Sequence, residues 1–184
     1  MSRIGLLGGT FDPPHIGHFI IAQEVKTALE LDEVWFMPTN QPPHKEPAYF
    51  SSETRLSMLK QATASASDFF VEPIELARQG KSYTIDTIKL LKDKYPQNSF
   101  YFIIGADMVE YMPKWHKIEE LLTLIDFVGV NRKDYTNKTD YPVTMVDIPV
   151  IDISSTEIRS RMKEGLAVRY FLPHEVYRYM KEHL

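Results

Sequence analysis

The chain has 184 residues, 43% of them hydrophobic and 25% charged, with 21 basic against 25 acidic side chains and a formal net charge of −4. That composition fits a folded domain and excludes a disordered chain, and a pI near 5.9 argues against non-specific nucleic-acid binding. There is no cysteine, which excludes a disulfide scaffold, a thiolate nucleophile, an iron–sulfur cluster and a cysteine zinc site.

Short apolar runs alternate with helical patterns along the chain. Ile4–Leu7 reads as a buried strand closed by Gly8 and Gly9, and Ile21, Val25, Ala28 and Leu29 then follow helical spacing. Val34–Met37 is a second strand stopped by Pro38, followed by a proline-rich polar loop from Thr39 to Phe50. Ser51 and Ser52 can cap the next helix, with Leu56, Leu59 and Ala62 or Thr63 on one face. Phe69–Ile74 is a third strand. Ile85, Ile88, Leu91 and Tyr95 mark a helix ended at Pro96. Phe100–Ile104 is a fourth strand ended by Gly105. Leu121–Ile125 closes a helix, Phe127–Val130 is a fifth strand, and Val143–Ile153 supplies a sixth. Two helices finish the chain, one after Ser154 and one opened by Pro173.

This alternation predicts an α/β fold, doubly wound, with a mostly parallel sheet and helices on both faces. Ligands of such sheets lie at the carboxyl ends of the strands, so the loops after Leu7, Met37, Ile104 and Val130 are the candidate site. Asn131 to Asp134 reads as a solvated loop. No apolar run reaches the ~18 residues of a membrane span, and Met1–Phe11 does not read as a secretory signal. The expected address is the cytoplasm.

The segment Gly8-Gly9-Thr10-Phe11-Asp12-Pro13-Pro14-His15-Ile16-Gly17-His18 joins the first strand to the first helix. Its glycines allow close backbone approach, the helix start offers unpaired N–H groups, and His15 and His18 can face one way on the first turn. Together these suit a polyphosphate. A plain turn with two surface histidines is the alternative, and no third ligand stands at a familiar metal spacing. Near the far end, Ile153-Ser154-Ser155-Thr156-Glu157-Ile158-Arg159 opens a helix. Ser154 and Glu157 have capping-box spacing, while Ser155 and Arg159 share a face suited to phosphate oxygens.

The first segment resembles the signature of the nucleotidyltransferase superfamily, whose (T/H)-x-G-H core is here His15-Ile16-Gly17-His18, and the second resembles that superfamily's Ile-Ser-Ser-Thr-x-Ile-Arg element. The resemblance implies a Rossmann-like sheet that transfers AMP from ATP to a phosphate acceptor. It places His15, His18 and Arg159 in the catalytic set. It assigns Gly8, Gly9, Thr10, Phe11, Gly105, Asp107, Ser154, Ser155 and Thr156, with those three, to ATP, Asp107 facing the ribose hydroxyls.

Three further segments are similar to bacterial-type nicotinate mononucleotide adenylyltransferases, which make deamido-NAD. In Pro38 to Lys45, the resemblance places Asn40, His44 and Lys45 on the mononucleotide side. In Gly80 to Thr87, it places Ser82, Tyr83 and Thr84 at the nicotinate pocket, the Thr84 N–H meeting the carboxylate. Ser82 or Thr84 serves equally as a helix cap. In Pro113 to His116, Trp115 would stack on the pyridinium ring, worth about 0.5–2 kcal/mol, and the His116 N–H would be the second carboxylate donor. Flanked by Lys114 and His116, Trp115 is expected to stand clear of the core, with a half-buried packing role as the alternative.

The resemblance runs from Ile4 to Leu172-Pro173. It implies one nucleotidyltransferase domain over residues 1–184, with a small helical portion from about 154. Mg²⁺ is expected to be carried by the ATP phosphates, with no protein metal site. Two rivals stay open: an adenylyltransferase acting on nicotinamide mononucleotide or phosphopantetheine, and a non-catalytic nucleotide-binding sensor. Tyr170, Tyr177 and Tyr179 suit either a homodimer surface or core packing.

Overall fold

The computed structural model describes residues 1–40, 47–78, 83–131, 139–149 and 151–184. Among them, six strands form one sheet: β1 (Arg3–Gly9), β2 (Glu33–Pro38), β3 (Phe69–Val71), β4 (Ser99–Gly105), β5 (Asp126–Val130) and β6 (Val143–Val146). Their order is β3-β2-β1-β4-β5-β6, and every pairing is parallel. The chain steps outward from β1 to β3, then crosses back and builds the other half from β4. The strand order therefore reverses between β1 and β4, where doubly wound sheets open a crevice at their carboxyl ends.

The helices are α1 (Ile16–Ala28), α2 (Ser52–Thr63), α3 (Thr84–Lys94), α4 (Ala106–Tyr111), α5 (Ile118–Leu122), α6 (Ser155–Lys163) and α7 (His174–His183). Successive strand residues point to opposite faces, and both faces are apolar. Ile4, Leu6, Trp35, Met37, Phe100, Phe102 and Ile104 pack against Ile85, Ile88 and Leu91 of α3 and Val109 of α4. Leu7, Val34, Phe36, Ile103 and Val128 pack against Ala22 and Val25 of α1 and Leu59 of α2. A third cluster joins Met58 of α2 to Ile158 of α6 and Val176 and Met180 of α7. Tyr177 and Tyr179 pack on its edge, whereas Tyr170 is exposed.

Several boundaries differ from the sequence expectation for local reasons. β1 starts at Arg3 and runs on through Gly8 and Gly9, its last two residues, paired with Met37 and Pro38. β3 stops at Val71, because Pro73 has no N–H for the ladder and the chain then turns, with the Leu76 N–H donating to the Pro73 carbonyl. β6 ends at Val146 and does not run to Ile153. Asn131, expected in a solvated loop, instead bridges from the end of β5 to Ile148: its amide oxygen accepts from the Ile148 N–H at 2.8 Å and its amide nitrogen donates to the Ile148 carbonyl at 3.1 Å. Gly105 ends β4 as expected and is also the N-cap of α4, so Ala106 and Asp107 begin the helix without a loop. The α2 cap is Ser51, whose hydroxyl accepts from the Thr54 N–H. The buried face of α2 is Arg55, Met58, Leu59 and Thr63: Leu59 and Thr63 lie as expected, while Leu56 is only half-buried and Arg55 and Met58 join the face.

At the amino ends of the strands the chain closes on itself. The Arg3 N–H donates to the Asp32 carboxylate at 2.7 Å, the Asp32 N–H to the Arg3 carbonyl at 2.9 Å, and the Ser99 N–H to the Ser2 carbonyl at 2.9 Å.

Candidate active site

The loop from Thr10 to His15 leaves β1 at the switch point. Phe11 adopts a left-handed backbone, φ 51°, which is uncommon outside glycine. Its ring is 2% exposed and lies against His18 and Phe36. The turn needs Gly9 behind it, since a Cβ there would stand 3.1 Å from the Phe11 ring. The Phe11 side chain is therefore core.

His15 is the N-cap of α1 and His18 its third residue. Their rings stack with centroids 3.7 Å apart. The His15 N–H donates to His18 Nδ1 at 3.1 Å. An Nδ1 that accepts carries no proton, so a neutral His18 ring bears its hydrogen on Nε2, where it can donate. Gly17 makes the stack possible, because a Cβ there would stand 3.0 Å from His15 Nδ1. His15 is buried and His18 half-buried.

The two distant signatures meet here. Ser155 Oγ donates to the Pro13 carbonyl at 2.9 Å, and Arg159 Nη1 donates to the Asp12 carbonyl at 2.6 Å. Arg159 also lies 3.4 Å from the Asp12 carboxylate, and its Nη2 donates to Thr156 Oγ1 at 3.2 Å. Ser154 caps α6, accepting from the Glu157 N–H at 3.1 Å. Ser155 and Arg159 do share one face, but that face grips the first loop directly. Part of the donor set expected for phosphate thus also fixes the loop.

Sequence reasoning assigned no role to two residues that organise this site. The Asp12 carboxylate, 5% exposed, accepts from the Tyr49 and Phe50 N–H groups, each at 2.8 Å. Arg55 is 1% exposed. Its Nη1 donates to the Thr10 carbonyl at 2.7 Å and the Thr39 carbonyl at 2.9 Å, its Nη2 to the Asn40 carbonyl at 3.4 Å, and its Nε to the Phe50 carbonyl at 3.3 Å. Burial lowers the Arg55 pKa, and the charges of Asp12 and Glu53 oppose this; a guanidinium stays a cation regardless. The available signal was an arginine three and four residues before Met58 and Leu59, on an apolar stripe.

On the other side, Asn40 donates through its amide to the Arg78 carbonyl at 2.9 Å. Arg78 donates to Thr87 Oγ1 at 3.1 Å, and Thr87 donates to the buried Glu75 carboxylate at 2.9 Å. Burial raises the Glu75 pKa, opposed by the Thr87 hydrogen bond and the Arg78 charge. Thr84 is the first residue of α3 and Tyr83 its N-cap, without a side-chain cap. The Tyr83 and His116 rings lie 4.5 Å apart, so the segments carrying the two expected carboxylate donors adjoin. Trp115 does not stand clear of the core: its indole meets Phe102 and Phe127 edge-on at 6.0 and 5.7 Å, and it is half-buried. Asp107 lies half-buried in the first turn of α4, beside the end of β4. His44, Lys45 and Ser82 lie outside the described residues.

A doubly wound parallel sheet with a glycine-bearing strand end, a helix start and an arginine converging at the switch point defines a nucleotide-binding α/β protein. The cytidylyltransferase-like family model matches residues 6–161. The chain is 55% identical, over 100% of its length and 96% of the relative's, to a probable nicotinate-nucleotide adenylyltransferase of Oceanobacillus iheyensis. It is 49% identical to the nicotinate-nucleotide adenylyltransferase of Bacillus subtilis, over 99% of this chain and 97% of that one. The chain belongs to the nicotinate-nucleotide adenylyltransferase family of cytidylyltransferase-like proteins. In fold it is similar to the Plasmodium falciparum nicotinic acid mononucleotide adenylyltransferase complexed with NaAD, with a TM-score of 0.82, 21% identity and coverage of 100% and 97% of the two chains.

Proposed function

We propose that this chain transfers AMP from ATP to nicotinate mononucleotide, giving deamido-NAD and pyrophosphate in NAD biosynthesis. One observation carries the reading: the His15–His18 helix start and the Ser155–Arg159 helix start meet across the Asp12–Pro13 backbone at the switch point. Those contacts bring two phosphate-type elements, 142 and 147 positions apart at the bonded residues, to one crevice beside a histidine donor. The curated relatives of similar length carry the same activity in their names.

The 5′-phosphate of the mononucleotide attacks the α-phosphorus of ATP, and pyrophosphate leaves. A phosphate monoester has its second pKa near ~6 and is largely dianionic at neutral pH, so no general base is required. The protein holds the two polyanions in line and stabilises charge as it shifts to the leaving group. His18 Nε2–H and the α1 start face the transferring phosphate; Arg159, Ser155 and Thr156 face the leaving portion. Gly8, Gly9 and Thr10 line the nucleotide on one side, and Gly105 and Asp107 the ribose on the other. Thr84 and His116 offer backbone N–H groups to the nicotinate carboxylate, with Tyr83 beside them and the exposed face of Trp115 towards the pyridinium. Asn40 stands at the mononucleotide edge.

Among the described residues no group of three His, Asp or Glu side chains is placed to hold a metal ion, and the Asp12 carboxylate is already occupied by two N–H groups and Arg159. These donors do not fit a protein-held ion. In the proposed reaction Mg²⁺ enters with the ATP phosphates, keeping several waters.

We read residues 1–184 as one nucleotidyltransferase domain acting in the cytoplasm on small molecules, with the net negative charge turning away nucleic acid. No helix among the described residues is long and apolar enough to cross a membrane. The exposed Tyr170 ring, 82% accessible, supports a homodimer, which sedimentation of the parent and Tyr170→Ser would test. The activity test is pyrophosphate release from Mg-ATP with nicotinate mononucleotide, nicotinamide mononucleotide and phosphopantetheine in turn. Release with the first alone at low concentration supports the reading; release with none makes the chain a nucleotide-binding sensor.

A further inference from the structure

Arg55 is the fourth residue of α2, and almost none of its surface reaches water. Removing a cation from water is costly, and an apolar side chain of the same volume serves packing as well or better. What an apolar side chain cannot do is donate to carbonyls in a fixed planar fork. The four carbonyls held by Arg55 belong to three separate segments. Thr10 follows β1, Thr39 and Asn40 follow β2, and Phe50 precedes α2.

The β1–β2 ladder ends at the Gly9–Pro38 pair. One further bond continues it, from the Thr39 N–H to the Gly9 carbonyl at 2.9 Å. Beyond that point the two backbones part, and Arg55 Nη1 sits between the Thr10 and Thr39 carbonyls as a side-chain rung. Phe50 is held from both sides: its N–H donates to Asp12 and its carbonyl accepts from Arg55. Asp12 in turn meets Arg159. Arg55 thus lies at the centre of a buried lattice that includes the start of the first loop, the edge of the second and, through Asp12, the α6 helix.

We propose that Arg55 is a positioning residue for adenylyl transfer: it sets the separation between the ATP-side backbone at Thr10 and the mononucleotide-side backbone at Thr39 and Asn40. The inference rests on the activity proposed above. Adenylyl transfer needs the acceptor oxygen in line with the α-phosphorus, and the two substrates are held by different loops. Arg55, 1% exposed, offers almost no surface to either substrate. It fixes how the two loops stand to each other, which matters only when both are filled.

The test uses the full chain and the variants Arg55→Lys and Arg55→Gln. Lysine keeps the charge but cannot span four carbonyls; glutamine keeps two donors and loses the charge. Three quantities are read: kcat, the separate affinities for ATP and for nicotinate mononucleotide, and amide hydrogen exchange. In Arg55→Lys we expect kcat to fall roughly 10²-fold while each separate affinity changes less than about threefold, the signature of lost alignment. Exchange should quicken at residues 10–12 and 39–40 together, with β4 and β5 unchanged. Arg55→Gln should move in the same direction and further.

A folded variant with parent-like kcat overturns the proposal. So does an equal loss of both affinities with faster exchange through the whole sheet, which would make Arg55 a stabilising residue only. Failure of both variants to fold has the same meaning. If the parent chain forms no deamido-NAD, the proposed activity fails by itself. The exchange comparison then still decides whether Arg55 couples the two loops, and independent exchange at the two segments overturns that.

Discussion

Arg159 and Asp12 stand 147 positions apart in sequence, yet the Arg159 guanidinium donates to the Asp12 carbonyl at 2.6 Å and lies 3.4 Å from its carboxylate. The contact joins the two ends of the nucleotide site. It also means that Arg159 braces the first loop in addition to the role towards pyrophosphate proposed for it. Replacement with lysine keeps charge but loses the planar fork, so Arg159→Lys should recover only part of the Arg159→Ala defect. Steady-state kinetics and ATP titration of both variants check this; parent-like ATP binding and turnover in both would remove Arg159 from the site.

His18 presents Nε2–H because its Nδ1 accepts from the His15 N–H. That donor is fixed before substrate arrives, which is what makes it useful in the transition state. His18→Ala should lower kcat by at least ~10²-fold, comparable to loss of one oxyanion donor, and should weaken ATP binding far less. Near-normal turnover would rule the role out. A modest fall in Tm should accompany the change, since the His15 N–H loses its acceptor.

Glu75 gives a pH dependence with a definite sign. Burial raises its pKa in the folded chain above the ordinary 4.5, so the folded state holds the proton more tightly than the unfolded one. Its contribution to stability is fully present below the unfolded pKa and is lost as pH rises through the folded pKa. Glu75→Gln keeps an acceptor for Thr87 and removes the titration. The Tm of the parent relative to Glu75→Gln should therefore fall as pH is raised from about 4.5, the unfolded value. A constant difference between the two across that range would show that Glu75 does not titrate there.

The acid should be preferred to the amide as acceptor. A carboxylate can accept from both the Thr84 and His116 N–H groups and gains from the start of α3. A carboxamide that presents its oxygen to one donor turns its NH₂ to the other, leaving unpaired a donor that the bound ring would cover, at a cost of about 1–3 kcal/mol if water is excluded there. With the lost charge added, kcat/KM should favour nicotinate mononucleotide by at least ~10²-fold. His116→Ala should keep most of that preference because the donors are backbone groups. Trp115→Ala should weaken both acceptors and also lower Tm, given the contacts with Phe102 and Phe127. Equal use of acid and amide by the parent would refute the nicotinate assignment.

The parallel α/β class was legible because strands and helices announce themselves by period, and the two signatures because glycine, histidine, serine and arginine stand at tight local spacings. Boundaries such as the end of β3 at Val71 were less legible, since pairing stops where a neighbouring proline or turn competes. The roles of Asp12 and Arg55 were not legible. Asp12 accepts from residues 49 and 50, and Arg55 reaches back to residue 10; no local pattern encodes such partners. Trp115 takes the half-buried alternative for a related reason. Charged sequence neighbours suggested an open ring, but Phe102 of β4 and Phe127 of β5 meet it edge-on.

The all-parallel sheet also makes the molecule's two ends unequal in what they tolerate. The hydrogen bonds between Arg3 and Asp32 and between Ser2 and Ser99 close the end opposite the crevice. β4, with seven residues, separates that end from Gly105 by roughly 20 Å at ~3.3 Å per residue. A fluorophore, surface tether or fused partner attached near Asn98 would therefore face away from arriving nucleotides. The enzyme could be immobilised in one orientation there, with every substrate loop left open to solution.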